Sequence, residues 1–242
     1  MRLGVVYNCR MGVKYNVNEK FFDSWNTRMA YILGYLYADG HILNAPYMRG
    51  KYVSVTSIDR DSIERIRDWM ASKHTITKRA SHWENGNPTY VLRIGSHKLY
   101  DSLSTIGMYP NKSLTVGLPD IPLEYFMDFV RGYFDGDGCV YLEKITRKNG
   151  KIRPRKLNVI FTSGSKKFLD KLSVSLHQIT RVKLQKTLRS WTAFQLRYGT
   201  NDSINLFKGL YKNRKKGDYL ERKHEIFEEF FAIHKRRSGE DG

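Results

Sequence analysis

An α+β fold, built twice from one helix–hairpin–helix–hairpin–helix unit, is what this sequence predicts. Three observations carry the prediction. The run Tyr31-Ile32-Leu33-Gly34-Tyr35-Leu36-Tyr37-Ala38-Asp39-Gly40 is echoed by Phe129-Val130-Arg131-Gly132-Tyr133-Phe134-Asp135-Gly136-Asp137-Gly138. The strand end Val55-Thr56-Ser57 returns as Phe161-Thr162-Ser163, and Tyr90-Val91-Leu92-Arg93 as Phe194-Gln195-Leu196-Arg197. These pieces keep their order in both halves, and the spacing drifts only because the hairpin after the second run is longer.

The elements follow in order. Residues 1–20 are polar and basic and read as an arm. Ser24 or Asn26 suits the N-cap of a first helix running to about Ala38. Tyr47 to Ser57 reads as a strand, since Val53 and Val55 alternate with Ser54 and Thr56. Asp61 to Met70 has helical spacing, with Ile63, Ile66 and Trp69–Met70 on one face. Asn85-Gly86-Asn87-Pro88 marks a turn before a strand at Thr89–Ile94, and Lys98 to Ile106 reads as a helix. Pro110, Pro119 and Pro122, three of six prolines, fall with Gly107 and Gly117 in a linker at 107–123. Pro122 and Glu124 suit the first turn of the next helix. A charged last helix at 217–236 turns Ile226, Phe227, Phe230 and Phe231 inward. The expected units are thus an arm at 1–20, halves at 21–106 and 124–236 around the linker, and a tail at 237–242.

Composition narrows the partner. The chain has 242 residues, 40% hydrophobic and 27% charged, which is globular rather than disordered. Its 42 basic residues against 24 acidic ones leave a net charge of +18. A fold gains nothing from that self-repulsion, so a polyanion is expected, nucleic acid first. No basic amphipathic helix, lipidation signal or membrane-length apolar run points to a membrane. Cys9 and Cys139 are too few for a disulfide scaffold, and the N-terminus has no apolar signal core. The expectation is an intracellular protein of the cytoplasm, nucleoid or an organellar matrix.

The repeated run carries the chemistry. Gly34 with Ala38, and Gly132 with Gly136, give each helix a strip almost free of side chains. Two such strips pack with their backbones unusually close. Parallel pairing brings Asp39 and Asp137 side by side at the helix ends, where repelling carboxylates invite a divalent cation. The helix dipole disfavours an acid there, so two in matching places argue for use. Gly40 and Gly138 are expected in the left-handed conformation that ends many helices.

The two runs, with Ile32 to Gly40 and Val130 to Gly138 as their cores, resemble the LAGLIDADG homing endonucleases that carry both motifs on one chain. The resemblance covers roughly residues 21–236. It implies a duplicated αββαββα LAGLIDADG fold with pseudo-twofold symmetry, whose two antiparallel sheets form a DNA-binding saddle. It assigns Asp39 and Asp137 to metal binding and catalysis, completed by the carbonyls of Ala38 and Gly136. Mg²⁺ is the expected ion, with Mn²⁺ or Ca²⁺ as substitutes in vitro. Tyr37 departs from the motif's acid, which Asp135 keeps; neither is the metal position.

Arg93 and Arg197 hold matching strand positions on the face opposite Leu92 and Leu196. The family commonly has a basic residue there near the scissile phosphate, although contact with backbone phosphate alone explains them nearly as well. Lys144, Arg147, Lys148, Lys151, Arg153, Arg155 and Lys156 surround Asn149-Gly150, a preferred hairpin turn, on a ribbon sized for the major groove. The matching first-half hairpin offers Arg49 and Lys51. Thr56, Ser57, Arg60 and Ser163 are further candidate DNA contacts, with ordinary strand-end turn chemistry as the competing account.

The expected function is site-specific double-strand cleavage of DNA, by a monomer on a long pseudo-palindromic site, leaving staggered ends. An RNA maturase and a non-catalytic DNA-binding regulator are the alternatives on this scaffold; the retained acid pair favours cutting. An intein is not expected from a chain that starts at Met1 and ends Glu240-Asp241-Gly242.

Overall fold

In a computed structural model of the chain, residues 15–48, 50–81, 84, 86–146, 150 and 152–240 are described. The first half runs α1 (Thr27–Asp39), β1 (Gly40–Ala45), β2 (Gly50–Ser57), α2 (Arg60–Trp69), β3 (Ile76–Arg79), β4 (Thr89–Gly95) and α3 (His97–Ile106). The second runs α4 (Phe126–Asp137), β5 (Gly138–Thr146), β6 (Ile152–Ser163), α5 (Lys166–Thr180), β7 (Leu188–Ser190), β8 (Ala193–Tyr198) and α6 (Thr200–Tyr211), and α7 (Glu221–Glu240) closes the chain. Each half is one αββαββα unit. Its antiparallel sheet has the order β1-β2-β4-β3, repeated as β5-β6-β8-β7.

Local chemistry explains the helix starts. The Asn26 side chain accepts from the amides of Arg28 and Met29, both at 3.0 Å, so Asn26 rather than Ser24 caps α1. Ser96 and Ser165 cap α3 and α5 in the same way. Pro122 does not sit in the first turn of α4. A 3₁₀ turn at Leu123–Tyr125 intervenes, and α4 begins at Phe126. Another 3₁₀ turn, Pro46–Met48, occupies the start of the expected strand, so β2 begins only at Gly50. The linker is no loose tether, because Met108, Lys112, Val116 and Leu118 are buried in it.

The centre is the α1–α4 pair. Residues Met29 to Tyr37 of α1 are all buried, as are Phe129 to Asp135 of α4. A Cβ built on Gly34 would fall on the carbonyl oxygen of Phe129, and one on Gly132 would fall on that of Tyr31. One on Gly136 would meet the Cβ of Ala38. Backbone rests on backbone at Gly34 and Gly132, which only the absence of side chains permits.

Gly40 and Gly138 correct an expectation. Neither is left-handed; with φ of −98° and −79° both are extended. The chain runs straight from each motif helix into its strand. Glycine is required there by crowding, since a Cβ on Gly40 would lie 2.6 Å from the Cα of Leu36. On Gly138 it would strike the ring of Phe134.

Each sheet turns one face to the helices. Val53, Val55, Leu92 and Ile94 lie inward in the first, Leu157, Val159, Phe161, Leu196 and Tyr198 in the second. The other faces are left open. Among the described residues no helix is long and apolar enough to cross a membrane.

Candidate active site

Both motif helices end at the same place. The Oδ2 of Asp39 comes within 3.3 Å of where a Cβ on Gly136 would stand, so the first-half carboxylate lies against the end of the second-half helix. Asp39 is half-buried. Burial, reinforced by the charge of Asp137, pushes its carboxyl up to about 6. Asp137 is the more exposed, yet the protein packed around it still raises its carboxyl. Among the described residues neither carboxylate accepts a hydrogen bond. Two adjacent, unsatisfied hard oxygen donors fit a hard divalent cation such as Mg²⁺ or Mn²⁺, with the backbone carbonyls of Ala38 and Gly136 next to them.

Two lysines not anticipated from the sequence complete the site. Lys112, buried in the linker, donates from Nζ to the carbonyl of Tyr37 at 3.0 Å. Lys223, buried near the start of α7, donates to the carbonyls of Phe134 and Gly138 at 2.6 Å, Asp135 at 2.8 Å and Gly136 at 3.3 Å. Each therefore caps the C-terminal end of one motif helix, where the dipole is negative. Burial pulls both ammonium groups down to about 8, opposed for Lys112 by Asp137 and Asp39 and for Lys223 mainly by Asp135. Lys223 is held in place by its neighbour Arg222, which grips Asp59 of the first half through two bonds of 2.9 and 2.8 Å.

Register places Arg93. It pairs with Ser54 across β4–β2, and Ser54 pairs with His41 across β2–β1. His41, Ser54 and Arg93 thus form one row on the face away from the helices, two residues beyond Asp39, with Ser54 itself buried. Arg93 is exposed, with its guanidinium 4.2 Å from the ring centre of Tyr52. Burial, with Arg93 and Lys112 nearby, holds the His41 imidazole below its usual value. The matching row in the second half is Cys139, Ile160 and Arg197. Arg197 is exposed and braced by two bonds to Gln195 at 3.0 and 2.8 Å.

Three candidate DNA contacts face the wrong way. Lys51 shares the parity of Val53 and Val55, so its side chain lies on the helix side. There it pairs with Asp101 of α3 at 2.5 Å and sits over the Tyr100 ring. Ser57 is buried, accepting from Tyr35 at 2.9 Å and from the amide of Asp59 at 3.1 Å. Ser163 is its counterpart, buried and accepting from the amide of Ser165 at 3.1 Å. Both close the strand-to-helix turn and are unavailable to DNA.

The remaining candidates divide. Thr56 is exposed on the open face. Arg60 is exposed at the start of α2, paired with Glu64 at 2.9 Å. In the long hairpin Lys144 pairs with Glu229 at 3.2 Å, and Lys156 with Glu143 at 3.8 Å. That ribbon is therefore partly neutralised, by Glu229 from α7 and by Glu143 on its own first strand. Arg49, Arg147, Lys148 and Lys151 lie outside the described residues, as do the side chains of Arg153 and Arg155. Gly150 has a positive φ of 77°, but the outermost described pair of this hairpin is Thr146 with Ile152, a register that a two-residue Asn149-Gly150 turn would not give.

A paired-helix scaffold presenting two acids between two open sheets defines a class. The family of the LAGLIDADG-like domain matches residues 26–107 and again 124–219, and the chain belongs to that family in its two-repeat, single-chain form. Solved structures agree on the fold. The homing endonuclease I-WcaI, bound to its DNA recognition sequence, is 14% identical with a TM-score of 0.57, over 85% of this chain and 89% of that one. The LAGLIDADG meganuclease I-AabMI, bound to uncleaved DNA, is 11% identical with a TM-score of 0.57, over 89% and 92%. I-DmoI, in complex with DNA and Mn, is 17% identical with a TM-score of 0.51, over 77% and 97%. No curated protein sequence matches the chain.

Proposed function

We propose that this protein is a site-specific endonuclease that cuts both strands of DNA, with one half serving each strand. The observation that carries the reading is the meeting of Asp39 and Asp137 at the end of a helix pair packed backbone to backbone. The open sheet faces form a saddle on either side of that point. Arg93 and Arg197, exposed at matching register positions, are the side chains we assign to the phosphate backbone. A net charge of +18 supplies the attraction.

Asp39 and Asp137, with the carbonyls of Ala38 and Gly136, would hold divalent metal, Mg²⁺ in the cell. Bound there, it would supply Lewis-acid stabilisation of the phosphate and of the leaving oxygen. The chain's own groups do the rest. The acids fix the point of attack, since the tight helix pair leaves them no room to drift. Lys112 spends one hydrogen bond on a carbonyl and keeps donors for developing negative charge, whereas Lys223 is fully engaged with backbone. Arg93 and Arg197 position the strands. None of the side chains at the acids is an evident general base, so water activated from solvent is the economical nucleophile. The family resemblance further supports staggered ends, a long pseudo-palindromic target and action as a monomer. With DNA as its substrate, its expected compartment is the cytoplasm, the nucleoid or an organellar matrix.

The test is selection of cleavable sites from a randomised plasmid library in Mg²⁺, followed by binding in Ca²⁺ on the selected site. Asp39→Asn and Asp137→Asn are each expected to lose cleavage by at least about a hundredfold while binding the duplex. A library that yields no cut site with Mg²⁺ or Mn²⁺, or an Asn variant that cuts like wild type, overturns the reading.

A further inference from the structure

We infer that the helical layer of the second half carries a separate anion site, built for a phosphoryl group and remote from the acids. A cavity of about 640 Å³ opens between the start of α4, the end of α5 and the end of α6. Its walls include Arg131, Lys208, Lys212 and Arg214, against the two carboxylates Glu124 and Asp128. Asp128 is buried and already neutralised, pairing with Arg131 at 2.7 Å and Arg214 at 2.8 Å. The positive charge that remains is therefore in excess.

Three features direct it at an oxyanion. Arg214 lines the cavity with 24% of its side chain exposed, while its guanidinium is held at the wall by Asp128. Lys208 and Lys212 are exposed, and among the described residues neither pairs with a carboxylate. The N-terminal turn of α4 also lines the cavity, and its dipole favours negative charge. A ligand with several acceptor oxygens could meet all three together. Phosphoryl groups suit both the planar guanidinium and the ammonium donors.

The place excludes the DNA saddle as its origin. Asp137 ends α4, whereas Asp128 stands nine residues earlier, about 14 Å along the axis. α5 and α6 pack on the inward side of β6 and β8, so the sheet separates the cavity from the open face. Beyond it the surface continues as Lys212-Asn213-Arg214-Lys215-Lys216, four cations in five residues. The phosphoryl group could come from a nucleic-acid strand lying along that run, or from a free phosphoester.

The probes are pyrophosphate and a short single-stranded RNA, titrated separately into ¹⁵N-labelled full chain without divalent metal. Both are expected to shift the amides of Gly209 to Arg214. The Lys208→Ser/Lys212→Ser variant, altered only at exposed positions, is expected to bind about tenfold or more weakly with an unchanged melting temperature. Tighter binding of the RNA than of pyrophosphate identifies a strand as the source; pyrophosphate alone identifies a free phosphoester. Shifts confined to β1, β4 and the ends of α1 and α4, no shifts at all, or equal affinity in the double variant would overturn the site.

Discussion

Lys223 reaches the carbonyl of Phe134 at 2.6 Å and, with three further carbonyls, closes the end of α4; Lys112 closes α1 through Tyr37 alone. The two halves are thus unequal in how they satisfy the same helix end. Lys223→Met removes four hydrogen bonds to backbone carbonyls, at about 1 kcal/mol each, and is expected to lose about 3 kcal/mol or more. Lys112→Met frees one carbonyl and removes a buried charge, so its cost should stay within about 1 kcal/mol. Chemical denaturation of both variants decides; equal losses would mean that the hydrogen-bond count does not set the difference.

The helix pair gives a sharper prediction. Gly132→Ala drives a methyl group into the Tyr31 carbonyl, and neither backbone can yield without parting α1 from α4. A loss of about 3 kcal/mol or more is expected, or no folded protein. Gly199→Ala is the control, because nothing stands within 4 Å of its Cβ and its φ is an ordinary −82°. Thermal melts that move equally for both would refute the backbone-contact account.

Much of this is legible in the sequence. The small residues of the two motifs announce the close helix pair, and the recurrence of Arg93 as Arg197 announces the second sheet. The phase of β2 was legible too. Lys51 and Ser57 share the parity of Val53 and Val55, so alternation already turns them inward, as it turns Ser163 with Val159 and Phe161. A basic or hydroxyl side chain suggests DNA, but the pleat decides which way it points. Lys112 and Lys223 were not legible. Among 42 basic residues nothing marks two as buried, and their role arises only when the linker and α7 fold back onto the helix ends.

The acids predict a dependence on pH in chelator. The Asp39 carboxyl lies at about 6 when folded, against an ordinary 3.8, through burial first and Asp137 second. Between those values the folded chain holds a proton that the unfolded chain has lost, so stability falls as pH rises through the window. Lys112 and Lys223, lowered to about 8 by burial, act in the opposite sense, adding stability as pH rises from about 8 towards 10.5. Asp39→Asn is therefore expected to be more stable than wild type at pH 7 in chelator, with the advantage vanishing below about pH 4. Parallel melting curves for the two proteins from pH 4 to 7 would dismiss the shift.

The last prediction separates two cations of one sheet. Arg93 and Lys51 lie on neighbouring strands, but Arg93 stands exposed on the open face while Lys51 is tied to Asp101 on the helix side. Each phosphate neutralised steepens the fall of log affinity with log salt by about 0.9. Arg93→Ser should therefore flatten that slope by about 1 on duplex DNA. Lys51→Ser should leave the slope unchanged and cost at most about 1 kcal/mol of stability, as the loss of a surface ion pair does. Equilibrium binding of both variants over a salt series, without Mg²⁺, gives the comparison. A flattened slope for Lys51→Ser alone would mean that DNA reaches the helix side of the sheet. The open face would then no longer be the saddle, and the roles given to Arg93 and Arg197 would fall with it.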